Sequence, residues 1–118
     1  MAIKVVLADT FYSAARKLRK RYPHILDDVD TLVVQLRQGE NPGDRIQGLP
    51  HRVYKVRLRN RDAQRGKSGG YRIIYYLETE KQTVILDIYS KTDQSDLPVD
   101  IIRRSIEEYA AKHPPKET

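Results

Sequence analysis

The spacing of apolar residues predicts one strand and two helices in the first part of the chain. Residues 3–8 alternate with the two-residue period of a strand. Apolar residues then recur at helical spacing over residues 11–22, and Pro23 ends that helix. A second helical stripe covers residues 25–36. The following segment, 39–48, contains Asn-Pro-Gly-Asp and is predicted to be a loop.

Three strands and a last helix are predicted in the second half. Residues 53–59 alternate between apolar and basic side chains, and residues 71–77 and 84–90 are rich in β-branched and aromatic residues. A polar, glycine-rich loop separates the first two of these strands, and a short turn separates the last two. Apolar residues at helical spacing over residues 101–109 predict the final helix.

The order strand, helix, helix, strand, strand, strand, helix predicts an α+β fold. Residues 1–112 are expected to form a single domain, and residues 113–118 a frayed tail. Three consecutive strands with short connections are expected to pair as an antiparallel meander. We expect the helices to pack on one face of this sheet, which leaves the other face free to bind a partner.

The positive charge of the chain is concentrated in residues 51–72. The formal net charge is +6, but this segment alone carries eight basic residues and one acid, a balance of +7. Alternation places Lys55, Arg57 and Arg59 on the predicted free face, and Arg72 joins them from the neighbouring strand. A solvated surface is one interpretation. A polyanionic partner is the other, because each neutralised phosphate releases counterions.

Several kinds of site have little support. The chain has no cysteine, which excludes disulfides, thiolate zinc sites and cysteine nucleophiles. His24, His51 and His113 have neither metal-ligand spacing nor an evident acidic partner, and the acidic pair at 27–28 is expected on a solvated helix face. The glycine-rich segment 66–70 lies between strands, so it does not fit a phosphate-binding loop that opens a helix. We expect no metal and no cofactor.

The sequence also carries no membrane signal. The amino terminus lacks the layout of a signal peptide, and no apolar stretch reaches the length of a membrane span. We therefore expect a cytoplasmic protein without a membrane partner.

A basic cluster with tyrosines is able to cut RNA without a metal. RNA carries its own nucleophile, the 2′-hydroxyl, which attacks the adjacent phosphorus when it is held in line. Arginine balances the charge that develops on the phosphate oxygens, since its planar fork binds phosphate and stays charged. Lysine or tyrosine can transfer a proton if its pKa is shifted from about 10 towards neutrality.

At these residues the sequence resembles the RelE/ParE toxin superfamily. The resemblance is carried by Val-Tyr-Lys-Val-Arg-Leu-Arg at residues 53–59 and by Gly-Tyr-Arg-Ile-Ile-Tyr-Tyr at residues 70–76. The glycine-rich segment 66–70 and the segment 87–97 are similar specifically to the HigB branch. The resemblance covers most of the chain and agrees with the strand order predicted above. It implies the toxin of a type II toxin-antitoxin system.

The resemblance implies a metal-independent messenger RNA endonuclease that acts on the ribosome and is neutralised by a cognate antitoxin. Matched positions assign Arg72 to transition-state charge, and Lys55 and Arg57 to phosphate positioning. Tyr89 or Lys91 would handle a proton, or Tyr89 would stack on a base. Lys67 matches a basic loop position of the HigB branch, and the basic cluster adds Arg59, Arg65 and Arg52 as RNA-binding residues.

The identity of the general base and the activity itself both remain open. RelE has an arginine directly after the lysine of the last strand, where this chain has Thr92. The general base therefore stays open among Lys55, Tyr89 and Lys91. A ParE-like protein would share the fold but poison DNA gyrase through protein contacts. An inactive member would bind only its antitoxin or RNA.

Overall fold

The structure is a computed structural model that describes residues 2–63, 70–92 and 96–114. Its elements are β1 (Lys4–Leu7), α1 (Asp9–Arg19), α2 (Ile25–Arg37), β2 (Asp44–Arg45), β3 (Val53–Leu58), β4 (Tyr71–Thr79), β5 (Gln82–Ser90) and α3 (Val99–Lys112). This order confirms the predicted α+β class, and the short strand β2 lies in the segment predicted as a loop. Of the tail predicted at 113–118, residues 115–118 lie outside the described ranges.

The strands form one sheet in the order β1-β5-β4-β3-β2. β3, β4 and β5 pair antiparallel, which confirms the predicted meander. β1 joins the sheet beside β5 in a parallel arrangement, in which Lys4 pairs with Gln82. A parallel pair requires a crossover connection. The chain between β1 and β5 provides it, and α1 and α2 lie within this connection.

Two hydrophobic cores cover the two faces of the sheet. α1 and α2 pack on one face, the closed face, whose buried residues include Phe11, Ile25, Leu32, Ile73, Tyr75, Ile85 and Ile88. α3 packs on the other face, the α3 face, whose buried residues include Val53, Ile74, Tyr76, Val84, Leu86, Ile102, Ile106 and Tyr109. The expectation that the helices share one face is therefore corrected for α3. β4 is buried at every residue from Tyr71 to Tyr76, so both faces of the sheet need cover.

The apolar core of the α3 face occupies only part of that face. In β3 it includes Val53, whereas the next residues on the same face are Lys55 and Arg57. In β4 it includes Ile74, and Arg72, two residues before Ile74, lies on the same face. The α3 face therefore changes from apolar to polar along each strand. This change places the candidate site at one end of the face.

Candidate functional site

The polar end of the α3 face, defined by Lys55, Arg57, Arg72 and Tyr89, is assembled from three neighbouring strands. Arg57 of β3 pairs with Arg72 of β4, and Arg72 pairs with Tyr89 of β5. Directly paired residues hold their Cβ atoms about 5 Å apart on one side of a sheet. Lys55 lies two residues before Arg57 and shares its face. The predicted grouping of Lys55, Arg57 and Arg72 is therefore present in the fold.

A β-bulge in β5 brings Tyr89 to this face. The pairing of β4 with β5 shifts between Ile74 and Tyr75, because Ile74 pairs with Asp87 while Tyr75 pairs with Ile85. One extra residue, Leu86, is thus inserted into β5. An inserted residue reverses the alternation of every side chain that follows it in the strand. Without the bulge, Tyr89 would face the closed side, away from Arg72.

Gly70 is required where the chain enters β4. Its φ is +85°, a conformation that residues with a Cβ adopt rarely. A Cβ at this position would lie 2.7 Å from the carbonyl oxygen of Leu58 at the end of β3. The Gly70 carbonyl also accepts a hydrogen bond from the backbone N–H of Lys91 at 3.1 Å. Gly70 therefore positions the strand that carries Arg72 and the segment that carries Lys91.

Asp96, which the sequence analysis did not select, joins three of the predicted site residues. Lys55 Nζ donates a hydrogen bond to Asp96 Oδ1 at 3.2 Å, and Tyr89 Oη donates to the same oxygen at 3.2 Å. Lys91 Nζ lies 3.5 Å from that oxygen. One carboxylate oxygen therefore accepts hydrogen bonds from one ammonium group and one phenol, and it forms an ion pair with a second ammonium group. Only the spatial position of Asp96 identifies it, because it lies far from Lys55 in the sequence.

This arrangement sets opposite protonation preferences for the carboxylate and the phenol. The hydrogen bond and charge of Lys55, together with Lys91, lower the pKa of Asp96. Burial raises the pKa of Tyr89 to about 12, and the charge and hydrogen bond of Asp96 act in the same direction. Tyr89 is only 4% exposed. At neutral pH, Asp96 is an anion and Tyr89 is a hydrogen-bond donor.

Arg72 is a buried cation with few protein partners. Its residue is 9% exposed, and Nη1 donates a hydrogen bond to the carbonyl oxygen of Tyr71 at 3.3 Å. In the described parts of the chain, no carboxylate lies within salt-bridge distance of this guanidinium. A partly desolvated arginine with unused donors is suited to bind an anion, because its interactions are less screened there than in water.

A cleft of about 650 Å³ adjoins the polar end between α1 and α3. Its walls include Lys17 of α1 and Ile101 of α3, and its floor includes Asp87 and Tyr89 of β5. Burial raises the pKa of Asp87 to about 6, although the N–H of Ile88 donates a hydrogen bond to this carboxyl group. Asp87 is therefore a second acidic group beside the site, and no pattern in the sequence indicates its role.

The remaining predicted basic residues are spread more widely. Arg59 is exposed one residue beyond β3. Arg52 is exposed just before β3, and its carbonyl accepts from the N–H of Leu77 at the far end of β4. Arg52 lies five positions before Arg57, which corresponds to roughly 17 Å of extended chain. Arg65 and Lys67 lie outside the described residues.

A second charged cluster connects the start of α2 to the segment after β3. Arg61 Nε donates to Asp28 Oδ1 at 2.9 Å, and Arg61 N donates to Asp28 Oδ2 at 3.0 Å. His24 Nδ1 lies 2.7 Å from Asp62 Oδ1. Two expectations are corrected here, because Asp28 is buried rather than solvated and His24 has an acidic partner. The cluster fixes the exit of β3 to the closed side.

The described residues hold neither a candidate metal cluster nor a helix that could span a membrane. No group of three or more His, Cys, Asp or Glu side chains in these ranges is arranged to hold a metal ion. No helix in the same ranges is both long and apolar enough to cross a membrane.

Comparison with known proteins gives a likeness in structure but none in sequence. No protein-family model matches the chain, and no curated protein matches it significantly. The fold is similar to the solved structure of the E. coli toxin RelE, a double arginine-to-alanine mutant in the free state. The TM-score is 0.56 at 14% identity, over 92% of this chain and 98% of that chain. The chain therefore has a RelE-like fold.

Proposed function

We propose that this chain is a cytoplasmic toxin of a type II toxin-antitoxin system, of the HigB-like branch, and that it cuts messenger RNA on the ribosome. The observation that carries the proposal is the row of Arg57, Arg72 and Tyr89 across three strands, with Lys55 beside it. These side-chain types supply what metal-free cleavage by the 2′-hydroxyl requires. The RelE-like fold agrees with this activity.

In the proposed reaction the 2′-hydroxyl oxygen bonds to phosphorus as the bond to the 5′-oxygen breaks. Lys55 and Arg57 position the phosphate, and Arg72 stabilises the charge that builds on its oxygens. The pKa of Tyr89 is raised and not shifted towards neutrality, so we propose Tyr89 as the donor of a proton to the leaving 5′-oxygen and not as a base; stacking on a base would require its buried ring to become accessible. A lysine accepts a proton only as the neutral amine, so the proposed acceptor of the 2′-hydroxyl proton is Lys55 or Lys91 after it has lost its own proton to solvent, and no metal or cofactor is required.

The proposed partners follow from the same surface. Messenger RNA in the ribosome would lie over the polar end, with its flanking phosphates on Arg59, Arg65 and Lys67. Arg52, at the other end of β3, would be reached by an RNA chain that continues along the strand. A cognate antitoxin would neutralise the toxin.

The proposal is tested by expression in cells of the wild type, Arg72→Ala and Arg37→Ala. Arg37 is an exposed arginine at the end of α2, on the opposite side of the sheet, and serves as the matched control. New messenger RNA 5′ ends and gyrase-linked DNA breaks are mapped in the same cultures. We expect RNA cuts with the wild type and Arg37→Ala, and a loss of about 10²-fold or more with Arg72→Ala.

Two results would contradict the proposal. DNA breaks without RNA cuts would indicate a ParE-like gyrase inhibitor. Normal growth and intact RNA in cells that contain soluble wild-type protein would indicate an inactive, binding-only member.

A further inference from the structure

We infer that the position of Asp96 Oδ1 is a binding subsite for a phosphate oxygen, and that Asp96 is an internal competitor that RNA must displace. The inference rests on the proposed function for the identity of the ligand, because the geometry alone specifies only an anionic oxygen.

The subsite is defined by three donors that meet at one point. Lys55 Nζ and Tyr89 Oη each lie 3.2 Å from Asp96 Oδ1, and Lys91 Nζ lies 3.5 Å from it. Lys55 comes from β3, Tyr89 from β5, and Lys91 from the residue after β5. A non-bridging phosphate oxygen carries the same charge sign and accepts the same charge-assisted hydrogen bonds as a carboxylate oxygen. Such an oxygen would fit among these donors.

Asp96 is held weakly enough to be displaced. It lies between β5 and α3, and its side chain is 58% exposed, while those of Lys55 and Lys91 are each 33% exposed. Ion pairs with this much solvent access contribute little, because water screens them and both side chains lose freedom.

A phosphodiester would also gain contacts that Asp96 does not make. In the described residues, Asp96 forms ion pairs with Lys55 and Lys91 but none with Arg57 or Arg72. A phosphodiester has two non-bridging oxygens, so one would replace Asp96 Oδ1 while the other reaches towards the arginines. The exchange therefore favours RNA, while the free protein keeps its two lysines close together around a counter-ion.

The test measures binding without cleavage. A 2′-O-methyl oligoribonucleotide has no free 2′-hydroxyl, and its dissociation constant is measured for the wild type, Asp96→Asn and Asp100→Asn. Asp100 is the matched control, since its side chain is 78% exposed on α3, where it pairs with Arg103, and the variant removes the same charge. We expect Asp96→Asn to bind about three- to thirtyfold more tightly than the wild type, and Asp100→Asn within about twofold of it.

Inorganic pyrophosphate, titrated against the same proteins, should show the same order of affinities. Asp96→Asn that binds no more tightly than Asp100→Asn would overturn the inference. Weaker binding by Asp96→Asn would also overturn it, because Asp96 would then be needed to position the cations.

A double-mutant comparison tests whether the gain is local. In a Lys55→Gln background the gain from Asp96→Asn should shrink clearly, because one of the donors to the subsite is absent. A gain of unchanged size would mean a general effect of charge and would contradict the subsite. Thermal unfolding of each variant confirms that the proteins compared are folded.

Failure of the proposed function gives a different pattern. Tighter oligonucleotide binding by Asp96→Asn in a protein that makes no RNA cuts in cells would reject the nuclease but retain the subsite. RNA cuts by the wild type, with no gain in oligonucleotide affinity from Asp96→Asn, would retain the nuclease but reject the subsite.

Discussion

The closed face and the α3 face of the sheet are built from the same three central strands. Apolar residues run along the whole of β3 on the closed face, but on the α3 face they stop part of the way along it. On the closed face, Tyr54, Val56 and Leu58 of β3 all pack against the core beneath α1 and α2. On the α3 face, apolar residues give way to Lys55 and Arg57. The residues next to each basic residue in β3 therefore pack into the core of the closed face, and this packing fixes the backbone that carries the basic side chains. The site therefore lies where the hydrophobic core ends on the α3 face but continues on the closed face.

The largest expected effect is that the closed face contributes stability, whereas the polar end contributes RNA cleavage. Phe11 on the closed face is fully buried, and Phe11→Ala should lower the free energy of unfolding by about 3–5 kcal/mol. Arg57→Ala on the polar end should change it by less than about 0.5 kcal/mol, yet reduce RNA cleavage by about tenfold or more. Urea denaturation and cleavage of ribosome-bound message measure the two effects. Equal losses of stability would show that the polar end is part of the folding core.

A smaller effect on stability is expected from Asp87, an acidic group beside the polar end that differs from Asp28 on the closed side. Asp28, on the closed side, pairs with Arg61, whereas Asp87 has no cationic partner in the described part of the chain. Because the fold raises the pKa of Asp87 from 3.8 to about 6, the native state holds this proton more tightly than the unfolded chain does. Stability is therefore lost as pH rises from about 4 to about 6, and Asp87 is charged at a cost above that range.

Asp87→Asn should accordingly raise the free energy of unfolding at pH 7 by about 1–2 kcal/mol, after allowance for partial solvent access. The gain should vanish near pH 3.5, where Asp87 is protonated in both states. Urea denaturation of the two proteins at both pH values measures it. A gain that is the same at both values would mean that charge is not its cause.

The smallest effect concerns the contact between His24, which is exposed, and Asp62, which is partly buried. Its hydrogen bond and charge raise the pKa of His24 above 6.5 and lower that of Asp62 below 3.8. The histidine contribution is complete below pH 6.5 and is lost as pH rises through the raised value. The aspartate contribution is complete above pH 3.8 and is lost as pH falls through the lowered value.

The melting temperature of His24→Ala should therefore fall further below that of the wild type at pH 5.5 than at pH 9. Asp62→Asn should show the same pattern, and the double variant should lose little more than either single change. Additive losses would show that the two side chains act separately.

Local pattern predicted the strands and the face of most site residues. Alternation in β3 was enough to group Lys55 with Arg57, because that strand has no irregularity. Alternation alone could not have placed Tyr89, since the insertion of Leu86 depends on how β5 pairs with β4 and not on β5 alone. Asp96 was missed for a similar reason. A carboxylate that contacts residues of β3 and β5 has no signature in its own neighbourhood.

The position of α3 could have been inferred from one stretch. Residues 73–76 read Ile-Ile-Tyr-Tyr, with no polar residue to mark a solvent-facing side. A strand that is buried on both faces has this composition, and it requires helices on both sides. The expectation of a free face followed from assigning all helices to one side of the sheet, and the basic residues of β3 describe only one end of the other face.

The parallel pairing of β1 with β5 has a consequence for synthesis of the chain. β1 is made first, yet Lys4 pairs with Gln82, 78 residues later. Contacts between residues so far apart in sequence slow folding, because a long loop must close before they form. β3, β4 and β5 pair with strands that are near in the sequence, but β1 has no partner strand until β5 has been synthesised. A nascent chain therefore completes its sheet only after nearly all of its site residues have been synthesised.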